Sequence, residues 1–263
     1  MEMKDKVVWI TGASSGIGEA LAYAYGRTGA RLILSSRNEE KLLEIRSRCA
    51  GRSDHVVLPL DLAAPESLEA KSDQALREAG RIDVLVNNGG VSQRSLALET
   101  TLEVDRRIME TNFFGTVALT KAVLPSMLKR KNGSIAVVSS LMGKFGTPLR
   151  SSYCASKHAL HGFFDSLRAE VWRQGISVTV ICPGFIRTNI SINALTTCGD
   201  AHGVMDEATA RGMLPDTCAE RIIAAVEGKK AEVCIGGREV VAVYLKRFAP
   251  ALLNRIIRKT KVT

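Results

Sequence analysis

Short runs of apolar, mostly β-branched residues alternate along the chain with stretches whose apolar positions recur every three or four residues. The runs fall at 7–11, 32–36, 56–60, 84–87, 135–139, 178–182 and 233–235. Continuous runs such as Val84-Leu85-Val86 predict strands covered on both faces, with the helical stretches as the cover. Seven strands with helices between them predict a doubly wound, parallel α/β sheet, wound by right-handed crossovers. Long helices are expected near 101–129 and 151–174, and Thr217-Cys218-Ala219-Glu220 reads as a capping box opening the last helix before strand seven. No repeat or linker breaks the pattern. Residues 1–239 are therefore expected to form one domain, and 240–263 an extension.

Two places in this pattern carry chemistry. Tyr153-Cys154-Ala155-Ser156-Lys157 sets a phenol and an ammonium one helical turn apart, on one face. A free tyrosine, with pKa ~10, is a poor proton donor or acceptor at neutral pH, and a nearby cation lowers that value. Bringing it into the neutral range corresponds to ~4 kcal/mol of differential stabilisation, which would make Tyr153 a general acid/base. The second place is Thr11-Gly12-Ala13-Ser14-Ser15-Gly16-Ile17-Gly18, between strand one and a helix. Gly12 permits a tight turn, Gly16 lets backbone approach a phosphate, and Gly18 lets the helix pack on the strand. Free N–H groups and the helix dipole then face an anion.

Those two motifs, with Asn87-Asn88-Gly89-Gly90, Asn112, Ser139-Ser140 and Pro183-Gly184, resemble the short-chain dehydrogenase/reductase family over roughly residues 5–236. The Ser-Ser-Leu-Met-Gly-Lys run before Tyr153 and the tail beyond the last strand look most like the 11β-hydroxysteroid dehydrogenase-like reductases. The resemblance implies a Rossmann-type fold, a nicotinamide cofactor and a homodimer or homotetramer built through the two long helices. It also implies that Ser14, Ser15 and Ile17 join the glycines in the phosphate turn, and that Asp61 with Leu62 contacts the adenine. Asn88, Gly89 and Gly90 would line the adenine ribose, with Gly89 standing where the family more often has Ala. Pro183, Gly184, Ile186 and Thr188 would hold the nicotinamide carboxamide side.

The end of strand two refines the cofactor. Where NAD-binding folds carry an acid for the ribose 2′-hydroxyl, this chain has Ser35-Ser36-Arg37. An acid would repel a 2′-phosphate, whereas Arg37 pairs with one, so NADP(H) is expected. Catalytic roles follow from chemistry and resemblance together. Tyr153 would exchange the proton, Lys157 would lower its pKa and bond the nicotinamide ribose, and Ser140 would hold the oxygen on which charge develops. Strand alternation turns Ser139 away. Asn112, in the helix beginning near Thr101, would support a water chain to the lysine through its carbonyl.

Substrate recognition is expected in a lid at about 184–214, bearing Ile190, Ile192, Ala194, Leu195, Met205 and Met213. With Leu141, Met142, Phe145 and Leu149 beside the catalytic groups, the expected substrate is a lipophilic ketone, aldehyde or alcohol. The chain has 46% hydrophobic and 24% charged residues, ordinary for a soluble globular protein. Six scattered cysteines and no secretory leader point to a reducing cytosol. His158 and His161 share a helix, but no nearby acid or cysteine completes a ligand set, so no metal site is expected.

Charge is concentrated at the end. Lys246, Arg247, Arg255, Arg258, Lys259 and Lys261 supply six of the net +9, with no acid beyond residue 240. Tyr244, Leu245, Phe248, Leu252 and Ile256 recur at helical spacing beside them, and Pro250 should break or restart that helix. Such a segment either lies on an anionic membrane surface or docks on the body or another subunit. With aromatic residues at 5% and no binding motif, nucleic acid is not an expected partner. A non-catalytic NADP(H)-binding sensor or scaffold remains the alternative to an enzyme. A sugar-nucleotide epimerase would need a larger C-terminal substrate domain.

Overall fold

The computed structural model describes residues 3–259. Its strands are β1 (Val7–Thr11), β2 (Arg31–Ser35), β3 (Val56–Val57), β4 (Val84–Asn87), β5 (Gly133–Val138), β6 (Ile176–Pro183) and β7 (Glu232–Ile235). All pair in parallel, in the order β3-β2-β1-β4-β5-β6-β7. The chain winds outward one way from β1 and the other way from β4. A crevice therefore opens at the carboxyl ends of those two strands, where such sheets bind ligands.

The helices are α1 (Gly16–Arg27), α2 (Glu39–Arg48), α3 (Leu68–Ala79), α4 (Leu102–Met109), α5 (Gly115–Arg130), α6 (Ser151–Val171), α7 (Glu207–Ala210), α8 (Pro215–Glu227), α9 (Val241–Phe248) and α10 (Pro250–Lys259). Alternation along β1 splits the core in two. Val7 and Trp9 pack with α3, α5 and α6, while Val8 and Ile10 pack with α1, α2 and α8. On α6 the buried face is Leu160, Phe164, Leu167 and Val171, the spacing of one helical stripe.

Four sequence expectations need correction. The stretch 101–129 is not one α-helix, because a π-helical turn, Glu110–Phe114, separates α4 from α5 and carries Asn112. The second long helix ends at Val171 rather than near 174. Thr217 lies inside α8, which begins at Pro215 with Leu214 at the N-cap; a proline at the first position, which lacks the N–H a cap would satisfy, starts the helix instead. The run at 56–60 forms a ladder only at Val56–Val57, although the Leu58 and Leu60 N–H groups still bond β2-side carbonyls.

After β7 the chain makes a short 3₁₀ turn, Arg238–Val240, and then α9 and α10, which Pro250 separates. Leu253 of α10 is buried against the α6 side of the sheet. Lys261 lies outside the described residues.

One polar chain crosses the core. The Trp9 indole N–H donates to Ser35 Oγ at 2.8 Å, and that hydroxyl donates to the Leu58 carbonyl at 2.6 Å. Both side chains are fully buried. Ser35→Ala should therefore strand the indole donor and lower stability by about 1–3 kcal/mol, read as a shifted urea midpoint with unchanged slope.

Candidate active site

A cleft of about 830 Å³ opens at the carboxyl ends of the strands. Of the site residues assigned from sequence, all line it except Gly18 and Asn112, which lie behind its wall.

One end is a backbone cradle. Gly12 and Gly16 adopt φ of +64° and +58°, where L side chains are strained. A Cβ on Gly12 would fall 2.8 Å from the Gly89 Cα, and one on Gly18 would fall 2.2 Å from the Gly12 carbonyl oxygen. The turn is thus pressed against both its own helix and the loop after β4. Thr11 fastens that loop, since its hydroxyl accepts from the Asn88 and Gly89 N–H groups at 3.0 Å each. The Asn88 amide donates back to the Thr11 carbonyl at 3.0 Å. Ser15 is the N-cap of α1 but makes no side-chain cap, so first-turn N–H groups face the cleft. This cradle of bare N–H groups fits a dinucleotide phosphate. Ser36, the exposed Arg37 and Asp61 line the same end.

The other end gathers the catalytic candidates. Ser140 follows β5 in extended backbone, and its hydroxyl bonds the Tyr153 phenol. Lys157 is 4% exposed and donates from Nζ to the Val138 carbonyl at 2.8 Å. Its Nζ lies 5.8 Å from the Tyr153 ring centroid. Burial pulls the Lys157 pKa down to about 8. Burial also pushes the Tyr153 pKa up, opposed by the Ser140 hydroxyl and by Arg150 and Arg94. The expectation that Lys157 depresses the tyrosine is thus revised: the lysine is itself desolvated and turned to a backbone carbonyl. The opposing positive charges come from two arginines.

Asn112 is fully buried in the π turn. Its Oδ1 accepts from the Val91 N–H at 2.8 Å, and its Nδ2 donates to the Val91 carbonyl at 2.9 Å and to Ser156 Oγ at 3.0 Å. The amide clamps the β4 loop to α6. The Ser139 hydroxyl is turned to α6, donating to the Lys157 carbonyl at 3.1 Å. Cys154 is buried, and burial pushes its thiol pKa up, the opposite of a nucleophile's environment.

Several site residues carry no local sequence signal. Gln93 Oε1 accepts from the Ser152 N–H at 2.8 Å, capping α6 where its N-cap, Arg150, does not. Asp206 is 2% exposed and accepts from Arg94 Nε at 3.1 Å and from Arg150 at 2.9 Å. That carboxylate fastens the segment after β6 to the start of the tyrosine helix. Glu239 Oε1 accepts from the Phe185 N–H at 3.1 Å. Only an open charge bookkeeping of distant positions could have flagged these groups, because the three segments meet solely through the fold.

The lid expectation also changes. The segment is stitched by a parallel bridge between Gln93 and Leu195 and by one between Ile186 and Met213. Ala194 is fully buried, and of the apolar set only Ile190 and Leu195 line the cleft from this segment. Leu149 does not line it either, whereas Leu141, Met142 and Phe145 do. Leu253, Ile256 and Ile257 of α10 complete the apolar wall. The opposite wall is polar, with Arg94, Arg107 and Arg150. His161 also departs from the sequence reading, since the fold brings it Cys182 and Glu232, one donor atom from each within 4.8 Å.

The sequence profile described as short chain dehydrogenase matches residues 6–198. The chain is 45% identical over 263 residues to "Dehydrogenase/reductase SDR family member 7B" of Bos taurus, spanning 97% of this chain and 81% of that protein. A Drosophila melanogaster protein, "Dehydrogenase/reductase SDR family protein 7-like", is 43% identical over 267 residues, spanning 99% and 82%. Among solved structures, a short-chain dehydrogenase from Streptomyces avermitilis superposes with a TM-score of 0.81 at 29% identity, covering 99% of this chain and 100% of that one. A short chain dehydrogenase/reductase from Burkholderia phymatum, solved in complex with NAD, gives 0.85 at 23% identity, covering 96% of each chain.

The glycine contacts separate two substitutions. In Gly18→Ala the new methyl meets backbone, so the turn must open, with an expected loss of about 1–3 kcal/mol of stability and of nucleotide binding. In Gly89→Ala its one close clash is with the Leu62 Cδ1 at 2.6 Å, a side-chain end that can rotate away, while the Gly12 N and Thr11 Oγ1 stand at an ordinary 3.5 Å. That variant should keep nucleotide binding within a few-fold; titration calorimetry on the pair checks both.

Proposed function

The chain belongs to the short-chain dehydrogenase/reductase family of oxidoreductases, and from that membership we propose that it interconverts a lipophilic ketone or aldehyde and its alcohol, using NADP(H). The observation that carries this reading is the convergence of Ser140, Tyr153 and Lys157 at one end of a cleft whose other end is a glycine cradle. When bound, NADP(H) supplies or accepts the hydride. The chain's own groups do the rest. Tyr153 gives its proton to the carbonyl oxygen during reduction and takes it back during oxidation. Ser140 donates to the same oxygen as charge gathers on it. Lys157 would bond the nicotinamide ribose of the bound cofactor.

Cofactor choice rests on Ser36 and Arg37, which line the cleft at the end of β2 where an acid would favour NAD(H). Substrate class rests on the apolar wall of Leu141, Met142, Phe145, Leu253, Ile256 and Ile257. The sensor or scaffold alternative would call for a missing catalytic group, and Asn112, Ser140, Tyr153 and Lys157 are all in place. A second copy is proposed to pack on the α4–α6 side, where Leu102 and Phe114 stand exposed.

A peripheral membrane contact is supported by the far face of the two C-terminal helices. One side of them docks on the body, but Val241, Tyr244, Phe248 and Leu252 remain exposed beside Lys246, Arg247, Arg255, Arg258 and Lys259. No helix among the described residues is long and apolar enough to cross a membrane. A surface contact of this kind gains about 1 kcal/mol per basic residue near anionic lipid.

Tyr153→Phe should lower NADPH-dependent reduction of a lipophilic carbonyl by roughly 10²- to 10⁴-fold, the usual worth of general acid catalysis, while NADPH binding stays. Arg37→Glu should lower the preference for NADPH over NADH by roughly 10- to 100-fold, the worth of one charge-assisted hydrogen bond. A preference left unchanged would remove the cofactor reading. Phe248→Ser with Leu252→Ser should abolish sedimentation with phosphatidylserine vesicles, and equal sedimentation of wild type and variant would rule the membrane contact out.

A further inference from the structure

We propose that His161, Cys182 and Glu232, with Cys234 beside Cys182 as a fourth donor, form a binding site for a zinc-type divalent cation, directly behind the catalytic cluster. The groups come from α6, β6 and β7. Cys182 and Cys234 are register partners on neighbouring parallel strands, so their thiols leave the same face of the sheet, close enough to hydrogen-bond. Against that pair stands the His161 ring, with Nε2 3.7 Å from Cys182 Sγ and Nδ1 3.4 Å from Glu232 Oε2.

The two ring nitrogens of His161 have different surroundings. Ser139 has one hydroxyl proton and gives it to the Lys157 carbonyl at 3.1 Å. Its oxygen also stands 3.0 Å from His161 Nε2, so this nitrogen is held on the β5 side of the ring. Nδ1 faces the Glu232 carboxylate. It is buried and has no hydrogen-bond partner, and the residue is 8% exposed. Nδ1 and the carboxylate oxygen stand 3.4 Å apart, and Lys144 bonds that same oxygen. Tetrahedral zinc, with bonds of about 2.0–2.2 Å, sets nitrogen and oxygen ligands about 3.4 Å apart. An imidazole held through its other nitrogen is also how metal-bound histidines are oriented.

The donor set selects the ion. Two sulfurs, one nitrogen and one carboxylate suit zinc or cobalt, whereas magnesium and calcium take oxygen ligands. On binding, each thiol loses its proton to solvent as a metal–sulfur bond forms. Two thiolates and a carboxylate exceed a divalent charge by one, and Lys144, bonded to Glu232, supplies the balance. Rotation of the Cys182 and Glu232 side chains brings the donors to bonding distance. His161 lies one turn beyond Lys157 on α6, and Cys182 precedes Pro183-Gly184. The ion would brace the tyrosine helix against the strands that form the cleft floor.

The test is a Co²⁺ titration of the full chain, made metal-free and reduced with a phosphine. The expected result is a thiolate-to-cobalt charge-transfer band that saturates at one equivalent, releases two protons and is bleached by Zn²⁺. Cys182→Ser and Cys234→Ser should each weaken the band and the affinity, Glu232→Gln should weaken affinity at least tenfold, and Cys198→Ser, at an exposed thiol, should change neither. Near-ultraviolet circular dichroism shows whether each variant has folded. Absence of the band in folded wild type, its survival in Cys182→Ser, its loss in Cys198→Ser, or a Cys182–Cys234 disulfide found by mass under these reducing conditions would overturn the proposal.

Discussion

The hydrogen bond from Lys157 Nζ to the Val138 carbonyl ties the middle of α6 to the last residue of β5, in a place solvent barely reaches. An ammonium resists such burial, and the fall of its pKa to about 8 expresses that resistance. Holding it there requires that its surroundings not relax. Gly90 makes room, since a Cβ at that position would stand 3.5 Å from Nζ and 3.0 Å from Asn112 Oδ1. Asn112 locks the neighbouring loop by bonding both polar atoms of Val91, and it reaches that loop because a π turn carries it there. An α-helical register would rotate this amide away, so the π turn and the buried lysine belong to one arrangement.

Tension of the same kind runs through Asp206. One buried carboxylate between two buried guanidiniums is a costly arrangement, and its attraction repays desolvation only when geometry is good and other hydrogen bonds are met. Here Arg94 also donates to Ser92 Oγ at 2.9 Å and to the Gln93 carbonyl at 2.6 Å. The cluster links the segment after β6, the β4 loop and the N-terminus of α6, three pieces that hydrophobic packing alone would leave free to slide. It also puts positive potential beside Tyr153, where Arg150 and Arg94 both oppose the upward pull of burial. Order and electrostatics therefore come from the same charges.

The strands were legible because both faces are covered, which writes each of them as an apolar run; β1 and β4 could be read to the residue. Their edges were less so. At 56–60 the run continues past the ladder, because Leu58 and Leu60 face the core and keep only single N–H bonds to the β2 side. The glycine turn and the Tyr-x-x-x-Lys face were legible because each is local, with its geometry set by residues within one turn. What stayed hidden was whatever depends on separation. Gln93 caps a helix 59 residues away and Asp206 bonds an arginine 112 residues away. The neighbours of His161 come from strands that periodicity could name but not bring together. The influence of burial on Tyr153 was hidden for a related reason, since helical spacing reports a shared face and not the depth at which that face lies.

This division has a functional consequence. The nucleotide end of the cleft is made from contiguous backbone, namely the turn after β1 and the loop after β4, pressed together by Gly12 and Gly89. Such a cradle specifies phosphate and dipole, and it tolerates little change because its contacts are backbone on backbone. The other end is made from side chains of distant segments, with α10 closing one wall and the arginine cluster also lining it. Side chains there can change size and polarity without disturbing the cradle, provided Asp206 still finds its two arginines. Contiguous backbone thereby builds the cradle, while Ser140, Tyr153 and Lys157 stand at the other end. The wall of that other end depends on α10, beyond the last strand, docking through Leu253.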